Sequence, residues 1–83
     1  MKTIEIYSDP GHGWAAVPLA ELSELGIINK ISPYSYRHDK TAYLEEDCDL
    51  TLYLDALRAH GHEFKFKEHT TNHDSPIRKF ERF

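Results

Sequence analysis

Cysteine is nearly missing from these 83 residues, with one copy only. An internal disulfide framework is therefore excluded, and a reducing compartment is the default. No apolar run approaches the ~18 residues that a membrane span needs. The start, Met1-Lys2-Thr3-Ile4-Glu5, alternates like a strand and lacks the apolar stretch of a signal peptide. A soluble, cytoplasmic chain is expected. No internal repeat, low-complexity tract or linker divides it, so a single domain over residues 1–83 is expected, with 70–83 as a polar and then aromatic and basic tail. Positive charge is also scarce. Residues 1–63 carry a net charge of −6 and residues 64–83 carry +2, within a total of −4. Direct nucleic-acid binding by the body is disfavoured, because that affinity rests on cations neutralising phosphates. An acidic body suits a basic macromolecular partner instead.

What is present supports a folded chain: 40% hydrophobic and 12% aromatic residues. At this length folding buries about 60% of the unfolded surface, so the core is small and stability marginal. Thr3–Tyr7 alternates with period two, and Asp9-Pro10-Gly11-His12-Gly13 supplies turn chemistry before Trp14–Val17 returns as a second strand. Pro18 opens a short helix bearing Leu19, Leu22 and Leu25, with Gly26 as its stop. Tyr34–Arg37 and Thr41–Leu44 flank His38-Asp39-Lys40 as a second hairpin whose turn lacks glycine. Leu50, Tyr53, Leu54 and Leu57 share one helical face, which predicts a helix from about Asp47 to His60, capped by Asp47 or Asp49 and stopped at Gly61. Glu63–Glu68 alternates aromatic and charged residues as a further strand. Ile77, Phe80 and Phe83 dock the tail, as a short helix or as an extended arm. The expected fold is α+β in the order ββαββαβ, a small antiparallel sheet with two helices packed on one face. Trp14, Leu22, Leu25, Leu50, Leu54, Leu57, Phe64 and Phe66 are its expected shared core.

Candidate chemistry is thin. Six histidines invite a metal, but His60-Gly61-His62 straddles a helix stop and should splay its rings. His69 and His73 have zinc-helix spacing on poor helix material. Solvated histidines are the better reading, with no metal or other cofactor expected. Glu45–Asp49 lacks the ligand spacing and glycine of a calcium loop. Gly11-His12-Gly13 is not followed by the Gly-Lys-Ser/Thr of a phosphate cradle. Cys48 lies among carboxylates, which oppose a nucleophilic thiolate. Asp9 and His12 can be read as a general base with its orienting carboxylate, or as a turn with an exposed histidine. Tyr34, Tyr36 and Tyr43 with Arg37 can be read as a stacking platform, or as ordinary cross-strand pairs.

The densest signal is acidic. Glu45, Glu46, Asp47 and Asp49 fall within five residues, more negative charge than helix capping requires. With Asp55, and with Glu21 and Glu24 on the first helix, they form the candidate binding surface.

Asp9–Trp14, Ile31–Tyr36 and Tyr43–Asp49 together resemble a family of short proteins carried by phages and other bacterial mobile elements, a likeness reaching to about His69. No catalytic residue comes with it. Anti-CRISPR inhibitors from such settings are similar in size and charge. The resemblance raises the reading of a non-enzymatic inhibitor in the host bacterial cell, to which the density of acids adds mimicry of DNA; a monomer is expected. Its implied partner is a host protein or ribonucleoprotein complex with a basic surface, such as a CRISPR effector. Two alternatives stand beside it: a small hydrolase or nuclease using Asp9 and His12, and a regulatory module touching nucleic acid through the basic tail from Lys65 onward.

Overall fold

A computed structural model describes all of residues 1–83. The strands are β1 (Lys2–Ser8), β2 (Gly13–Pro18), β3 (Tyr36–His38), β4 (Thr41–Glu45), β5 (Phe64–Thr70) and β6 (Glu81–Arg82). Two helices, α1 (Leu19–Glu24) and α2 (Leu50–Ala59), complete an α+β fold. The strands form one sheet in the order β5-β1-β2-β4-β3-β6. The sheet is mixed, not purely antiparallel, because β5 pairs with β1 in parallel, Lys2 opposite Phe64 through Ser8 opposite Thr70. Such a pairing needs a crossover, and α2 supplies its last leg.

Alternation along the strands gives the sheet two unlike faces. Ile4, Ile6, Ala15, Val17, Ala42 and Leu44 point to one side and pack with Leu22 of α1 and Tyr53 and Leu57 of α2. Both helices thus cover the same face. Leu25, Leu50, Leu54 and Phe64 rim this core, whereas Phe66 on the edge strand stays 48% exposed. Trp14 is buried but lies outside that core. It alternates with Ala15, so its ring sits on the helix-free face, opposite Glu45 in register and edge-on to Tyr36 at 6.2 Å. Alternation alone could have assigned it there, since Ala15 and Val17 cannot face the helices together with Trp14.

The segment after β5 covers part of the helix-free face. Pro76–Lys79 forms a 3₁₀ turn, with Ser75 accepting the Ile77 N–H as its cap. Phe80 then stacks on His38 and leans on Tyr43, and β6 pairs with β3. Both proposed forms of docking, short helix and extended arm, occur in succession.

Candidate functional site

The turn after β1 is built around Asp9. One carboxylate oxygen accepts the N–H groups of Gly11 and His12, both at 3.0 Å, the local bonding that favours Asp in turns. The other accepts the Ser75 N–H at 2.9 Å and Arg78 Nε at 2.6 Å, while Arg78 Nη2 returns to the first oxygen at 2.8 Å. The Arg78 guanidinium, against the opposing effect of burial and with help from the backbone donors, holds the Asp9 carboxyl far below the usual range. The guanidinium also lies 5.4 Å from the centre of the Trp14 ring. Asp9 therefore anchors the carboxy-terminal segment across the sheet. Its carboxylate bonds the backbone of His12 and not the ring, so the Asp9–His12 general-base pair is not assembled.

The acidic run from Glu45 to Asp49 divides into inward and outward groups. Asp49 is buried and accepts the Ser32 N–H at 3.1 Å, the Ser32 hydroxyl at 2.7 Å and the Ser35 hydroxyl. Although it stands at the N-cap position of α2, its side chain makes no cap bond; it clamps the Ile31–Tyr36 segment instead. Nor does Asp47 cap the helix, which begins at Leu50. Glu45 is buried as well: its N–H donates to Ser35 Oγ at 3.0 Å, and its carboxylate accepts the Asp47 N–H at 3.0 Å and meets His12 Nδ1 at 3.4 Å. Glu46 and Asp47 remain exposed, and no cation of the chain pairs with them. Glu21 is held by Lys2 at 3.1 Å and by the Tyr53 hydroxyl; desolvation and this carboxylate push the Tyr53 phenol well above its ordinary value. Asp55 is exposed but pairs with Arg58 at 3.2 Å, and Glu24 is exposed and unpaired. The seven acids thus do not form one surface, because Glu45, Asp49 and Glu21 are consumed in holding the fold.

One cleft, of about 360 Å³, is where the separate motifs meet. His12 and Trp14 come from the first segment, Tyr34 and Tyr36 from the second, and Glu45, Asp47 and Cys48 from the third; Arg78 and Arg82 complete the wall. Ligand atoms of His12, Glu45 and Asp47 all lie within 4.8 Å of one another. Partial desolvation, then a hydrogen bond to Glu45 and the charge of the neighbouring acids, pushes the thiol of exposed Cys48 up. Arg82 stacks over Tyr36 at 5.4 Å and has no carboxylate partner.

The other histidines have different neighbours. His60 and His62 lie nearly parallel, 6.5 Å apart, and do not splay, but no third ligand joins them. His69 bonds Glu5 at 2.7 Å and stacks on Tyr7 at 4.7 Å from strand β5, so the helix that would set it one turn from His73 does not form. Tyr36 and Tyr43 are cross-strand partners, and Tyr34 lies in the loop before β3, 63% exposed. Arg37 is tied to Glu81 at 2.7 Å. Arg78, Arg82, Ser35 and Ser75 belong to the site but escaped the sequence reading; Ser75-Pro76 ahead of a basic residue was the one local sign of an ordered cap there. Comparison with protein-family models, with curated proteins and with solved structures returns no match to this chain.

Proposed function

We propose that this chain is a stoichiometric, non-enzymatic inhibitor that occupies a cationic, nucleic-acid-binding surface of a host defence complex, in the leading form a multi-subunit CRISPR effector. The observation that carries the reading is the turn between β4 and α2. Glu46 and Asp47 face solvent there without an internal cation, while their neighbours Glu45 and Asp49 are bonded inward and fix the turn. Charge held in this way loses little conformational freedom on binding. It steers association toward lysines and arginines that otherwise hold phosphates. Exposed Tyr34 beside the turn supplies an aromatic anchor of the kind interfaces favour, and Glu24 and Asp55 add negative charge elsewhere.

The test is target-DNA binding by such an effector, measured against increasing amounts of the protein. Loss of binding at a one-to-one ratio, reversed by excess DNA, is the expected result. The double variant Glu46→Lys/Asp47→Lys, with an unchanged circular-dichroism melt, should weaken inhibition roughly tenfold or more, largely through the on-rate. Equal inhibition by the variant would remove the turn from the mechanism, and inactivation far below equimolar amounts would replace a blocker with an enzyme. Asp49 is unsuitable for this experiment, since reversing its charge breaks the clamp on Ser32 and Ser35.

A further inference from the structure

We infer that the cleft holds a divalent transition-metal ion, with Zn²⁺ as the best match, through His12, Glu45 and Asp47. This inference goes beyond the inhibitory reading: an ion here takes Asp47 out of the free charge of the turn and leaves Glu46, so metal binding is tested on the isolated protein and inhibition in metal-free buffer. One imidazole and two carboxylates form a donor set that such ions accept, with three protein ligands leaving a position open. Ligand atoms about 2.0–2.2 Å from a common ion stand roughly 3 Å apart. His12 Nδ1 and Glu45 Oε1 are already 3.4 Å apart, and the full set closes within 4.8 Å. The Asp47 and His12 side chains are exposed and free to close the remaining distance.

Three further features favour an occupied cleft. Glu45 is buried and has no lysine or arginine as ion-pair partner; its carboxylate meets the Asp47 N–H at 3.0 Å and His12 Nδ1 at 3.4 Å. A bound cation compensates a buried carboxylate of this kind. Second, Trp14, in the same wall, is 2% exposed, and its indole N–H is the one buried side-chain polar atom in the molecule without a hydrogen-bond partner. Buried polar groups ordinarily have a partner, and this donor belongs to a residue of the cleft wall and has none. Third, the ligands are fixed by separate devices: the Asp9 turn aims the His12 backbone, and Ser35 fixes Glu45 through its N–H. Such support holds a metal site in shape. Of the two guanidinium groups in the wall, Arg78 is neutralised by Asp9, which leaves Arg82 as the single opposing charge.

Isothermal titration of the purified chain with ZnCl₂ tests the inference, with Co²⁺ absorption spectra as a second readout. One equivalent should bind with a dissociation constant in the micromolar range or tighter. Asp47→Asn and His12→Gln replace exposed side chains, and each should weaken binding at least tenfold while leaving the melting temperature without metal unchanged. His60→Ala/His62→Ala should leave the affinity unaltered. Loss of binding in that last variant would assign the ion to the parallel histidine pair and overturn the inference. Affinity unmoved by Asp47→Asn and His12→Gln, or no saturable binding up to millimolar Zn²⁺, would overturn it equally.

Discussion

Asp9 shows how much one side chain can organise. It closes its own turn, accepts the Ser75 N–H and pairs with Arg78 through two bonds. Removing one partner of a buried pair is costly because the other charge is stranded. Here Arg78 keeps about a third of its side chain in water, so Asp9→Ala is expected to cost about 2–3 kcal/mol at pH 7, measured by urea unfolding. The pH dependence has a definite sign. An unfolded Asp titrates near about 3.9, and the folded Asp9 carboxyl lies far below that. Its contribution is complete above the unfolded value and declines as pH falls beneath it, where the unfolded chain takes up a proton that the folded one refuses. The stability gap between the parent and Asp9→Ala should therefore be constant from about pH 7 to 5 and narrow below about pH 4. A gap that persisted unchanged at pH 3 would contradict the ion pair.

At the scale of elements, most of the fold was legible and the site was not. Period-two alternation marked β1, β2, β4 and β5, and Leu50, Tyr53, Leu54 and Leu57 marked α2, since such patterns record which face meets the core. The acids failed as a guide because composition cannot tell a carboxylate facing water from one accepting bonds inside. Asp49 and Asp47 are two residues apart, yet the first is buried among serine donors and the second is exposed. The parallel partner of β1 lies about sixty residues away, and no local pattern announces it. Nor does any local pattern announce the turn of the second hairpin. Asp39 takes φ of 56°, the left-handed region, without a glycine. Asp39→Gly removes that penalty and should stabilise the chain by about 0.5–1 kcal/mol, seen as a higher urea midpoint with an unchanged slope.

For the whole molecule, the carboxy-terminal segment is a structural member and not a loose tail. It carries Ser75 and Arg78 to Asp9, Phe80 to Tyr43, and β6 to the edge of β3. The sequence suggested docking through Ile77 and the two phenylalanines but gave no sign that the Asp9 turn was the receiving end. Ending the chain at Asp74 should expose Trp14, shift its fluorescence to longer wavelength and lower the melting temperature. Because the single tryptophan lies under this segment, the emission reports on docking itself. An unshifted spectrum would mean that the segment does not shield the ring.

The bonds between Asp9 and Arg78 span 69 positions of chain, and that separation governs order in time. A ribosome exposes the Asp9 turn long before it delivers the groups that complete it. The cleft stays without one wall until the arginine arrives. Long-range closures of this sort slow folding, so the assembly of the cleft is expected to be the late event in the birth of each molecule.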